Sequence, residues 1–234
     1  MERTMVFLER FGNYLIQGTI MTLSLSILTM IFAILLGMIV AAMRMSKNRW
    51  IKRIAVLYIE IVRALPILVL LSICFYGIPL TGVKFPEAII FGVEMSRFIA
   101  ALIALSIGSS VYIAEIFRSG IQSIDHGQFE GGRSIGFSRF QTMYFIVFPQ
   151  ALRNILPALG NEFASTIKAS SQASVIGIAD LMYQANVIRG ISYQPFTPIL
   201  AIAIIYLILS VVITRLTVFM EIKLKRTNKG GTST

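Results

Sequence analysis

Residues 128 to 149 read Gln-Phe-Glu-Gly-Gly-Arg-Ser-Ile-Gly-Phe-Ser-Arg-Phe-Gln-Thr-Met-Tyr-Phe-Ile-Val-Phe-Pro. The stretch is mostly polar, yet long apolar segments flank it, and Glu130, Gly136, Ile146 and Pro149 punctuate it. Gln128 to Ser134 can form a short helix, and Gly136 permits a tight exit that a side chain would obstruct. Glu130 is expected in the first helical turn, where a carboxylate interacts favourably with the helix dipole. Pro149 is expected to end or kink the next segment, whose Tyr144, Ile146, Val147 and Phe148 can pack back onto neighbouring helices. Gly131 and Gly132 each weaken the short helix by roughly 1 kcal/mol relative to Ala. It is therefore expected to order on docking against another protein.

The flanks set the class of protein. The 234-residue chain is 56% hydrophobic and 14% charged, with a mean hydropathy of +0.79. A soluble domain of this length could not cover so much apolar surface, so the bilayer is its expected solvent. Segments 18–43, 54–77, 97–117, 155–182 and 197–220 each approach the roughly 20 residues a crossing needs. The expected architecture is an all-α membrane protein with five transmembrane helices. The fourth segment is the least clean, because it carries Glu162, Lys168 and a run of Ser and Gln. The first is too long for a signal-peptide core and has no small-residue cleavage site, so it reads as a retained span. Residues 1–17 form an expected extracytoplasmic segment, 18–225 a single transmembrane domain with a loop at about 125–149, and 226–234 a disordered tail.

The formal charge of +10 would suggest nucleic acid in a soluble protein. Its placement here suggests topology instead, and no nucleic-acid partner is expected. Residues 43–53, 118–153 and the C-terminal tail together hold 13 basic residues, against 5 in the N-terminus, the 78–97 loop and 186–196. The positive-inside rule puts the N-terminus outside and the C-terminus in the cytoplasm.

Several chemistries are excluded. The sequence has no G-x-x-x-x-G-K-S/T phosphate loop, so ATP is not bound by that route. Its single cysteine, Cys74, and single histidine, His126, provide no metal set and no internal disulfide. No catalytic residue, metal or cofactor is assigned to this chain.

The spacing Glu130, five residues, Gly136, nine residues, Ile146, then Pro149 resembles the "EAA" loop of ABC importer permeases. Here Gly131-Gly132 replaces the usual Ala-Ala. Gly18-Thr19-Ile20-Met21-Thr22-Leu23-Ser24-Leu25-Ser26, Tyr58-Ile59-Glu60-Ile61-Val62-Arg63-Ala64-Leu65-Pro66 and Tyr112-Ile113-Ala114-Glu115-Ile116-Phe117-Arg118 followed by Gly120-Ile121 resemble segments of the polar amino acid branch of that family (histidine, glutamine, arginine or cystine type). So do Asn161-Glu162-Phe163 and Ile167-Lys168-Ala169-Ser170-Ser171. The resemblance implies a type I importer permease fold in a bacterial cytoplasmic (inner) membrane. It implies a transport subunit, not an enzyme, for a polar amino acid or a derivative. It also implies a second permease subunit, an extracytoplasmic binding protein, surrounding lipids, and separate ATPase chains that use ATP and Mg. Gln128, Glu130, Gly131, Gly132, Gly136 and Pro149 would form the ATPase-coupling region.

Charges near a span's centre are unfavourable by about 2.5 to 3.5 kcal/mol each, so Glu60, Arg63, Glu115, Glu162 and Lys168 need partners or a wet cavity. Glu60 and Arg63 are three apart on one face and can pair, structurally or at a gate. An amino acid zwitterion needs an acceptor for its ammonium and a donor for its carboxylate. Glu115 and Lys168 on different spans could provide them, with Tyr112 beside Glu115, and Ser170 and Ser171 interrupting the fourth span. Asn161 joins these candidates through the resemblance. Lys168 could instead bridge to Glu162, and Glu115 could serve a gate. Two other readings stay open. A passive channel or ion-coupled carrier would use the same charges without the loop, and a membrane-embedded enzyme would lack a third group beside Glu115 and Lys168.

Overall fold

The computed structural model describes residues 2–90 and 93–229, and helices dominate them. Helix α1 runs Glu2–Arg44 without interruption, so residues 2–17 belong to the same helix as the span that the expected N-terminal segment was to precede. Helix α2 covers Arg49–Ala64 and is capped by Asn48, whose side chain accepts from the Trp50 amide. Helix α3, Ile67–Ser72, leads through a π turn at Ile73–Gly77 into α4, Ile78–Leu80. A two-stranded antiparallel hairpin follows, with β1 Ile89–Ile90 paired to β2 Val93–Glu94. It is a small departure from an all-α chain.

Helix α5 spans Met95–Gln122. Helices α6, His126–Ser134, and α7, Arg139–Thr142, come next. A second π turn at Met143–Val147 joins α7 to α8, Phe148–Ala169, which ends in a 3-10 turn at Ser170–Ile176. Helices α9, Leu181–Ser192, and α10, Thr197–Lys229, complete the order. The tail expected to be disordered from residue 226 is helical to Lys229, and 230–234 lie outside the described residues.

Among the described residues three helices are long and apolar enough to cross a membrane: Val6–Arg44, Met95–Gln122 and Thr197–Lys223. A fourth results if Arg49–Ala64 and Ile67–Leu80, bent by 102°, count as one. The span expected at 54–77 contains that bend. Pro66 has no N–H to donate, and its ring pushes the preceding residue out of the helical region. Leu65 accordingly sits extended, at φ −87° and ψ 128°. The expected span 155–182 is likewise divided, because α8 stops at Ala169 and α9 begins afresh at Leu181.

Packing shows how the pieces stand. Ile67 lies against Gly108 of α5, while Leu70, Leu71 and Cys74 share a buried cluster with Ala101, Ala104 and Leu105. Helix α3 therefore rises antiparallel to α5. Along α8, the Ser109 and Thr166 hydroxyls are 3.2 Å apart and Gly120 faces Ile155, so α5 and α8 are antiparallel too. At the end of α5 nearest the loop, Ala55 and Ile59 of α2 pack with Val40 and Ala41 of α1, Ile113 and Phe117 of α5, and Ala151 and Ile155 of α8.

Candidate functional site

Two groups of residues stand out, one in the loop and one at the junction of α1, α2 and α5. In the loop, Asp125 caps α6, its Oδ1 accepting from the Gly127 amide at 2.6 Å. The far end closes by the Phe137 amide donating to the Gly132 carbonyl and the Gly136 amide to Arg133, both at 3.1 Å. Gly136 takes φ +90°, the left-handed conformation this C-terminal closure requires. Glu130 is the fifth residue of α6 and not in the first turn. Its carboxylate meets His126 Nδ1 at 3.2 Å, and both side chains are largely exposed.

Gly132 explains one half of the Gly-Gly pair. A Cβ there would stand 2.7 Å from Thr142 Cγ2 and 2.8 Å from Ile146 Cδ1, whereas Gly131 faces open space. Helix α6 sits tightly on the α7–α8 rod at that point. Gln150 Nε2 donates to Gln128 Oε1 at 3.0 Å, and Asn154 Nδ2 to Ser123 Oγ at 2.9 Å. Ser138 and Gln141 form a reciprocal capping box that starts α7. Pro149 does not end the segment. The π turn before it bonds the Phe148 amide to the Met143 carbonyl, and the helix continues through Ala169. Val147 is buried, but Tyr144 is exposed and does not pack back. It stacks at 6.1 Å on Phe140 and lies edge-on at 5.0 Å to Phe145, forming an open aromatic patch beside α6. The sequence reading passed over Asp125 and this patch. The Phe140/Tyr144/Phe145 spacing of four and five was the available signal.

At the second group, Glu115 is shared by three arginines. Its Oε1 pairs with Arg44 Nη1 and lies 3.6 Å from Arg63 Nη2, while Oε2 accepts from Arg118 Nε at 2.9 Å. Arg63 is therefore drawn to Glu115 and not to Glu60, which makes no ion pair among the described residues. An exposed pair three apart on one helix contributes only a few tenths of a kcal/mol, whereas Glu115 is only 25% exposed. Arg44, 71 residues away, carried no local signal that it belonged here. Tyr58 reaches α5 nearby, with its hydroxyl 2.8 Å from Ser110 Oγ.

The remaining candidates are scattered by comparison. With Ser109 opposite Thr166 and Gly120 opposite Ile155, Glu115 and Lys168 lie about 12 Å apart along the helix pair. Lys168 and Asn161 are exposed, as is Tyr112, and Lys168 forms no ion pair among the described residues. Ser170 is fully buried, its hydroxyl donating to the Ile167 carbonyl at 2.8 Å, and Ser171 donates to the Lys168 carbonyl at 2.7 Å. These hydroxyls close the end of α8.

Helices of this length and apolarity around a capped polar loop are those of a polytopic membrane protein. The chain belongs to the family described as the binding-protein-dependent transport system inner membrane component, whose model matches residues 33–226. Among particular relatives, a protein named as a putative glutamine transport system permease of Rickettsia conorii is 35% identical over 211 residues, covering 90% of this chain and 93% of its own. A probable amino-acid permease of Bacillus subtilis is 37% identical over 198 residues, 85% of each chain. Among solved structures, a chain of an amino acid ABC transporter crystallised with histidines has 39% identity and a TM-score of 0.83, covering 93% of this chain and 97% of that one. A chain of an inward-facing methionine ABC transporter matches at TM-score 0.75 and 18% identity, covering 92% and 98%. The fold is that of a type I ABC importer permease.

Proposed function

We propose that this chain is the permease subunit of an ATP-driven importer that carries a polar amino acid across the cytoplasmic membrane. The observation that carries the reading is the self-capped helix α6, clamped at Gly132 onto the α7–α8 rod. A short exposed helix fixed to a long one can convert a push from another protein into movement of the bundle. The likeness to an amino acid transporter chain at 39% identity over most of both chains supports the substrate class.

In this reading α1, α3–α4, α5, α8 and α10 make five crossings, with the N-terminus outside and the C-terminus in the cytoplasm. Gln128, Glu130 and Gly131 face an ATPase that uses ATP and Mg, and the aromatic patch at Phe140, Tyr144 and Phe145 widens the contact. Gly132, Gly136 and Pro149 hold the geometry. A second permease subunit, this chain or a paralogue, covers the open sides of Tyr112, Asn161 and Lys168 and closes the path between them. Lys168 then presents an ammonium to a substrate carboxylate, with Ser170 and Ser171 shaping the backbone beside it. Glu115, with Arg63 and nearby Glu60, serves the cytoplasmic gate. An extracytoplasmic binding protein delivers the substrate.

The test is uptake of a panel of labelled amino acids in cells lacking this chain, restored with the wild type or with Glu130→Lys. One amino acid should return with the wild type and fall several-fold with the variant. Full uptake with the variant would favour a channel or ion-coupled carrier that has no use for α6.

A further inference from the structure

We propose that helix α2 is an in-plane anchor that binds anionic phospholipid through a groove edged by Arg49, Lys52 and Arg53. Three stripes run along Arg49–Ala64. Ala55 and Ile59 are buried against the bundle. Trp50, Ile54, Leu57 and Ile61, at helical spacings of four, three and four, form an exposed apolar stripe, and Trp50 is 71% exposed. Between them runs a polar stripe that includes Arg49, Lys52, Arg53 and Glu60. Helix α3 rises along α5, and α2 leaves it at 102°, so α2 lies close to the plane that the crossing helices pierce. A helix so placed, apolar on one face with Trp and basic on another, has the pattern of an interfacial membrane anchor.

The groove says which lipid. An open surface groove of about 320 Å³ is lined by Arg49, Lys52, Arg53, Val56, Leu57 and Glu60, all on α2. Its basic side fits a headgroup phosphate, to which an arginine fork can donate two hydrogen bonds. Val56 and Leu57 offer an acyl chain the apolar side. The Arg53 guanidinium lies 5.2 Å from the Trp50 ring centroid, which holds both at the rim. A second copy of the same face is a poor occupant, because Arg49, Lys52, Arg53 and Arg63 against Glu60 alone would meet like charges. Basic residues beside a membrane surface strengthen attachment to anionic lipid by roughly fivefold each.

Trp50 is the chain's only tryptophan, so its fluorescence in the full-length protein reports on α2 alone. The protein is placed in phosphatidylcholine nanodiscs containing the same fraction of either dibrominated phosphatidylglycerol or dibrominated phosphatidylcholine. Stronger quenching by the phosphatidylglycerol, unchanged by millimolar inorganic phosphate and lost in the Arg49→Gln/Lys52→Gln/Arg53→Gln variant, is the expected result. Equal quenching by both lipids, or competition by free phosphate, would overturn anionic-lipid binding. Absence of quenching by either would show Trp50 covered by protein and overturn it too. The variant's helicity, followed by circular dichroism, separates loss of the groove from loss of the fold. No transport is measured, so the result is independent of the importer reading.

Discussion

At Pro66 the helix breaks through 102°, whereas at Pro149 it runs on for another twenty residues, to Ala169. Both prolines lack the amide that an α-helix needs four residues after each carbonyl. The difference lies in the turn before them. Ahead of Pro149 the helix widens into a π turn, bonding five residues back, and the Gln150 side chain donates to the Ile146 carbonyl at 2.8 Å. Ahead of Pro66 the chain ends α2 with an extended Leu65, while Tyr58 and Arg63 tie α2 down to α5. Pro79 also follows a π turn, but there the helix ends at Leu80, one residue later. Pro157 lies inside α8 with no π turn before it, so widening of the preceding turn is the device at Pro149 and not a condition for every proline a helix carries.

The sharpest way to break this comparison is a matched pair of replacements. Restoring an amide at Pro66→Ala removes a helix-breaking effect of about 3 kcal/mol and should open the elbow, lengthening the spin-label distance between positions 51 and 76. Pro149→Ala should leave the distance between 141 and 161 unchanged. Equal behaviour of the two would remove the role given to the π turn. Next comes Gly132→Leu, which overpacks α6 against Thr142 and Ile146 by about 2 kcal/mol. It should abolish uptake and expose the loop to protease, while Gly131→Leu, facing open space, retains both uptake and resistance.

A smaller effect is expected at the elbow's ion cluster. Glu115→Gln leaves Arg44, Arg63 and Arg118 facing one another and should lower stability by about 1–2 kcal/mol. The readout is the thermal midpoint in detergent, and high salt should narrow the gap by screening the arginines. The smallest change is Asp125→Ala, which removes the α6 cap at a loss of about 1 kcal/mol. Hydrogen exchange should quicken across 126–134 and stay as it was in α8.

What was legible in the sequence depended on distance along the chain. Helix α6 and its exit were readable because a short helix ending at a glycine is a local pattern, and Gly136 adopts the φ of +90° that the pattern needs. The break at Pro66 went unread within the span expected at 54–77, and Pro149, expected to end or kink its segment, is carried through by the helix, because a proline's effect depends on the hydrogen bonds around it and on what the helix packs on. Glu115 was recognised as a buried charge wanting a partner, but Arg44 came from another helix. Its meeting with Glu115 depends on α1 and α5 packing face to face, which no i, i+3 spacing reveals. Lys168 and Glu115 looked like one site because both interrupt apolar spans. The antiparallel register of α5 and α8 sets them at different depths.

The π turn at Met143–Val147 also fixes where the chain can change length. It holds one residue more than an α-helical turn, and each residue turns a helix by about 100°. Deleting a single residue there converts the π turn into an α turn and leaves Ala151 and Ile155 facing the core, whereas the same deletion within the α-helical part of α8 would rotate everything after it. An insertion or deletion of the same size in an exposed connection between helices disturbs no such phase. The stretch between α6 and Pro149 can thus lose one residue without changing the phase of α8, and a relative one residue shorter there should carry an α turn in place of the π turn.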